Sequence, residues 1–177
     1  MVASSFLEKI DASARVALTY AFMFLLLIAN VIAVAYPLSG GIEIPFILMA
    51  IYYWSVYRPT LVPVWLVFAV GLIYDFLSGL PVGITALSFV AMQWIVTDQR
   101  VFLMGQPYLM FWSGFILVAL FVGFLQWAVY SFLQMSWLPC EPVIGSVVLG
   151  GVLFPLMSLL MHLTHKLLPV SRINFSS

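Results

Sequence analysis

The sequence predicts an all-α polytopic membrane protein with six transmembrane helices, and three observations point to that class. Apolar residues make up 65% of the 177 and charged ones only 7%, whereas a water-soluble domain carries about a quarter charged residues. Mean hydropathy is +1.19. The apolar residues gather into six segments divided by glycine, proline or charge, and the charges partition by side once those segments are drawn as crossings. The length suits one domain, residues 1–177, with nearly all of it inside the bilayer.

A short interfacial helix is expected over residues 6–15, because Ser5-x-x-Glu8 has the form of a capping box. It leads into a span at 16–35, ample for a ~30 Å core that needs ~20 apolar residues. Ala33-Val34-Ala35 looks like a cleavage site. The apolar stretch before it exceeds the ~7–15 residues of a signal-peptide core, so retention is expected. The second, third and fourth spans lie at 44–57, 61–77 and 82–96 and are short, at 14, 17 and 15 residues. Breaks flank each of them: Gly40-Gly41, Arg58-Pro59, Gly79-Leu80-Pro81 and Asp98-Gln99-Arg100. Their shortness implies bilayer thinning, tilted neighbours or partial re-entry. Spans five and six, 108–133 and 143–168, cross comfortably. Pro155 should kink the last and free the carbonyl of Gly151, four residues back.

Six crossings put Lys9, Arg15, Arg58, Arg100, Lys166 and Arg172 on one side, with Glu8, Asp11 and Asp98. Basic residues mark the cytoplasm, so both termini are expected inside. The outer end holds Glu43, Asp75 and Glu141 and no basic residue. Cys140, the single cysteine, excludes an internal disulfide and reads as an outer-loop bystander. The six tryptophans fall mostly near segment ends, as an aromatic belt would. Asn30, Gln93 and Gln126 are single polar residues suited to interhelical hydrogen bonds. Gly114, Gly123, Ser146, Gly150 and Gly151 form small-residue patches for close helix packing.

Asp75 is the most informative residue. It ends an uncharged run that begins at Leu61, and ionisable groups at membrane depth usually face protein rather than lipid. Gly71, Asp75, Gly79 and Gly83 recur at intervals of four, which on a continuous helix would place glycines on the face of the acid. Three readings stay open. The carboxylate reaches outer water; it accepts hydrogen bonds from the chain break or from the next helix N-terminus; or it contacts a partner.

Glu43-x-Pro45, Ile51-Tyr52-Tyr53-Trp54, Arg58-Pro59 and Gly71-x3-Asp75-x3-Gly79-x-Pro81-x-Gly83-x2-Ala86-Leu87 together resemble the MreD family, the rod-shape-determining D proteins of bacterial wall elongation. The likeness is strongest over residues 43–90. The family often carries a basic residue just before the proline that opens span two, where this chain has Glu43 and Ile44. The resemblance implies a non-enzymatic scaffolding subunit of the bacterial inner membrane. Its implied partners are an MreC-like bitopic protein, a RodA-type polymerase with its class B penicillin-binding protein, and indirectly MreB. It also implies a fold shared with the substrate-binding subunits of ECF-type vitamin importers. On this basis Pro45, Gly71, Asp75, Gly79, Pro81 and Gly83 form the candidate structural or partner motif, with Glu43 and Glu141 as candidate partner contacts.

The residues themselves supply no nucleophile, base and acid set, so neither catalysis nor a cofactor is expected, and no nucleic-acid partner. His162 and His165 share one helical face beside Lys166. With no further ligand type near in sequence, they suit the interface better than a metal. The alternative is an importer subunit, favoured by Ala17-x3-Ala21 and Ala29-x3-Ala33 as a docking stripe. Short outer loops at 36–43, 78–81 and 134–142, and few converging polar groups in the outer half, count against it.

Overall fold

The structure, a computed structural model, describes residues 20–21, 23–30, 32, 42–137 and 139–166. Among these the chain is all-helical. Helix α1 is helical over 23–30, and α2 spans Phe46–Tyr57, α3 Val64–Ser78, α4 Ile84–Met104, α5 Tyr108–Leu133 and α6 Glu141–Lys166. The expected interfacial helix at 6–15, the Ala33-Val34-Ala35 site, Ala17 and the loop residues 36–41 lie outside the described residues, as does the side chain of His165.

Helix α1 turns Met23, Leu26, Leu27 and Asn30 inward, the stripe of a helix with one buried face. Helix α2 differs, because ten consecutive residues from Ile47 to Val56 are buried. An apolar helix of 12 residues is only ~18 Å long, too short for a ~30 Å core. It survives by enclosure: α4, α5 and α6 pack around it and cover it on all sides. Enclosure also takes Trp54 out of the expected aromatic belt, since its ring is fully buried, whereas Trp65, Trp94 and Trp137 are exposed.

Helix α3 buries Val67, Gly71, Tyr74 and Asp75, one stripe turned to α4. It begins at Val64, after a 3-10 turn at Pro59–Leu61, rather than at residue 61. Gln93 on α4 donates to the carbonyl of Val62 beyond that turn. Helix α4 does not stop at Asp98-Gln99-Arg100 but runs on to Met104, before Gly105 and Pro107. Charge ends an apolar span; it does not end a helix, and glycine with proline does.

Among the described residues two helical stretches, Tyr108–Leu133 and Glu141–Leu163, are long and apolar enough to cross a membrane. Pro155 lies inside α6, and its effect on the Gly151 carbonyl is the one anticipated. It leaves the Gly151 carbonyl without its helical donor, and the indole Nε1–H of Trp112 on α5 donates to that oxygen at 2.8 Å. The small residues accept neighbouring groups: a Cβ on Gly114 would sit 2.6 Å from the Tyr52 hydroxyl and one on Gly150 3.0 Å from the Pro45 ring. Leu109, Leu117 and Phe124 on α5, Val152 and Leu156 on α6, and Phe76 on α3 face outward. A continuous apolar exterior of this kind suits lipid.

Candidate functional site

Residues distant in sequence meet at one end of the bundle, where α1 finishes, α2 begins, α3 turns into α4 and α5 turns into α6. Asp75 organises this end and is fully buried. Its backbone carbonyl accepts the N–H groups of Gly79 and Leu80, the latter at 3.0 Å, closing the C-terminus of α3. Gly79 makes that closure by taking the left-handed conformation, φ 67°.

The side chain of Asp75 closes the start of α4. Oδ2 accepts the N–H of Gly83 at 2.8 Å and of Ala86 at 3.5 Å, and Oδ1 that of Thr85 at 3.3 Å. The position before a helix normally supplies a capping oxygen from its own side chain. Gly83 holds that position at φ 105° and has none. The carboxylate, eight residues upstream, serves instead, where the helix dipole favours an anion.

Gly71 lets the two helices come close enough. A Cβ there would lie 2.4 Å from the Ala86 Cα and 2.8 Å from its nitrogen. Gly71 is therefore the close-approach glycine expected on the face of the acid. Gly79 and Gly83 are not: nothing lies within 4 Å of an added Cβ at either. Their function is conformational, and the spacing of four hides two different requirements.

Pro45 opens α2. With no capping side chain at that position, Asn30 of α1 supplies the oxygen, accepting from Phe46 N–H at 2.8 Å and Ile47 N–H at 3.5 Å. Glu43, exposed just ahead, accepts the Tyr74 hydroxyl at 3.0 Å. Pro81 lies in the α3–α4 turn, and Glu141 is exposed at the first position of α6. Cys140 is exposed beside it. Asp75, Gly71, Gly79, Pro81 and Gly83 thus form one clasp, with Pro45 and Glu43 on the neighbouring α2 entry; Glu141 stands apart from the clasp, on α6.

The expectation that the outer half offers few converging polar groups is not met. A cavity of about 470 Å³ opens here, and its wall includes Asn30, Glu43, Tyr74, Thr85, Gln126, Tyr130, Gln134 and Ser146. Tyr74, Thr85 and Tyr130 carry no sequence signal of their own, since a lone hydroxyl in an apolar span is unremarkable; only the adjacency of Tyr74 to Asp75 could have drawn attention to it. At the opposite end Tyr57, Tyr108 and His162 line a second cavity. Among the described residues no three His, Cys, Asp or Glu groups come together as a metal site would require.

Compared with known families, residues 13–164 match the one described as rod shape-determining protein MreD. No curated protein and no solved structure matches.

Proposed function

The chain belongs to the rod shape-determining protein MreD family, and from that premise we propose that it is a non-enzymatic scaffolding subunit of the bacterial wall-elongation complex. It sits in the inner membrane as one domain of six spans with both termini in the cytoplasm. Its partners are an MreC-like bitopic protein, a RodA-type polymerase and a class B penicillin-binding protein, with MreB engaged indirectly. The family match carries this reading. The importer alternative has no support from the comparisons.

The acidic end suggests how a bitopic partner is oriented. Glu43 and Glu141 are both exposed there. A basic residue just outside the membrane on the partner would meet them, while its single helix lies against a groove beside the short spans. Packing supplies most of the affinity, because lipid gives no hydrophobic drive between helices, and the charges set direction. The clasp built on Asp75 holds this end in shape.

Replacing Glu43 and Glu141 together by Gln should weaken co-purification of an MreC-like partner several-fold and leave the chain folded, since Gln still accepts from Tyr74. Equal recovery of partner by variant and wild type would refute the charge contact. A partner lacking its membrane helix that bound as well as the intact one would refute the helix-laying mode.

A further inference from the structure

The chemistry of the outer cavity selects one kind of guest. Its volume, about 470 Å³, lies within the range of roughly 300–1,000 Å³ typical of small-molecule sites. Among the described lining residues Glu43 is the only one with a formal charge, and no Lys, Arg or His is present. A phosphate or carboxylate guest would lose its hydration and meet no counter-charge. Four rings, Tyr74, Phe89, Trp127 and Tyr130, contribute to the wall. The hydroxyls of Thr85 and Tyr130 are buried close to each other in this wall. A hydroxyl can accept as well as donate, so both oxygens can take a hydrogen bond from a donating guest; the selection for a cation rests on Glu43 and the rings.

A carboxylate, acceptor hydroxyls and aromatic faces without a cation are the features that recognise an ammonium group. We infer that this cavity binds a small organic ammonium, its head toward Glu43 and its apolar body against Phe89 and Trp127. A second carboxylate, Asp75, stands behind the same wall, bonded to the Thr85 N–H, and adds to the negative potential. The amine belongs to a free molecule or to an aminophospholipid headgroup; the recognition chemistry is shared.

The test uses the purified full chain in detergent and three probes of one shape: 2-phenylethylammonium, neutral 2-phenylethanol and anionic 3-phenylpropionate. Calorimetric titration should show the ammonium binding at least about tenfold more tightly than either of the others. Glu43→Gln should remove most of that preference. Ser146→Phe, which fills the cavity from a half-buried wall position, should abolish binding with helicity by circular dichroism unchanged. Equal affinity for all three probes would overturn the inference, as would the absence of saturable binding, or binding that survives Ser146→Phe and therefore reflects the micelle. Repeating the titration in nanodiscs separates the sources. Competition by phosphatidylethanolamine discs but not by phosphatidylglycerol discs assigns the site to the headgroup, and equal binding in both assigns it to the free amine.

Discussion

Asp75 satisfies donors from two helices at once, and the consequences of replacing it follow from counting them. Asparagine can turn its one oxygen to the Gly83 and Ala86 N–H groups, which share Oδ2, but sets its NH2 against the Thr85 N–H where a 3.3 Å bond stood. Leucine leaves all three unmet, at about 1–3 kcal/mol each. Asp75→Asn should therefore melt nearer to wild type than Asp75→Leu in detergent and accumulate to a higher level in cells. Equal loss for both would mean that the charge itself is required. The nearby glycines divide in the same way. Gly71→Ala drives a methyl into the Ala86 backbone, so the helices must part, at a cost of about 1–3 kcal/mol. Gly79 has open space and only a left-handed φ to keep, so Gly79→Asn should be tolerated, since Asn visits that region readily. Thermal unfolding of the two variants checks the order. The sequence marks Asp75 and its glycines as special but does not reveal where their neighbours' N–H groups point, so its three readings of the acid could not be separated without coordinates. The reading that the geometry matches is the capping of the following helix.

At the scale of the element, Pro155 and Trp112 illustrate what a sequence can and cannot specify. The freed carbonyl at Gly151 follows from backbone geometry alone; the donor that reaches it belongs to another helix and is visible only in the fold. Trp112→Phe should cost about 1 kcal/mol by removing that bond. In a Pro155→Ala background a helical N–H can take over, and the same change should cost less. A double-mutant cycle by thermal or chemical unfolding measures the coupling, and a coupling of zero would refute the partnership. Helix ends were legible at Gly79 and Pro107, while α4 starts at Ile84, two residues after the expected position. They were misjudged at Asp98-Gln99-Arg100, because a boundary in hydropathy is a boundary of environment rather than of hydrogen bonding. The shortness of α2 was also visible, while its cause, enclosure by three other helices, is tertiary.

For the whole molecule, the alternation of helix directions brings the end of α1, the start of α2 and the α3–α4 and α5–α6 turns together at one end, and the basic residues predict which end faces the cytoplasm. Reporter fusions after residues 58, 100 and 172 should report cytoplasmic, and those after 40, 80 and 140 periplasmic; a single reversed internal fusion would exclude six crossings. The cavity beside the clasp was not legible, because its wall draws on residues from Asn30 to Val147 that no local pattern links. The α3–α4 clasp is the opposite case. Every donor that the Asp75 side chain satisfies lies within 11 residues of it. A chain break at membrane depth normally needs help from elsewhere in the protein before lipid will tolerate it. Here the turn between the helices is finished as soon as Ala86 has been synthesised. Residues 64–104 therefore hold within themselves the hydrogen bonds that close their turn, and the clasp asks nothing of α5 or α6.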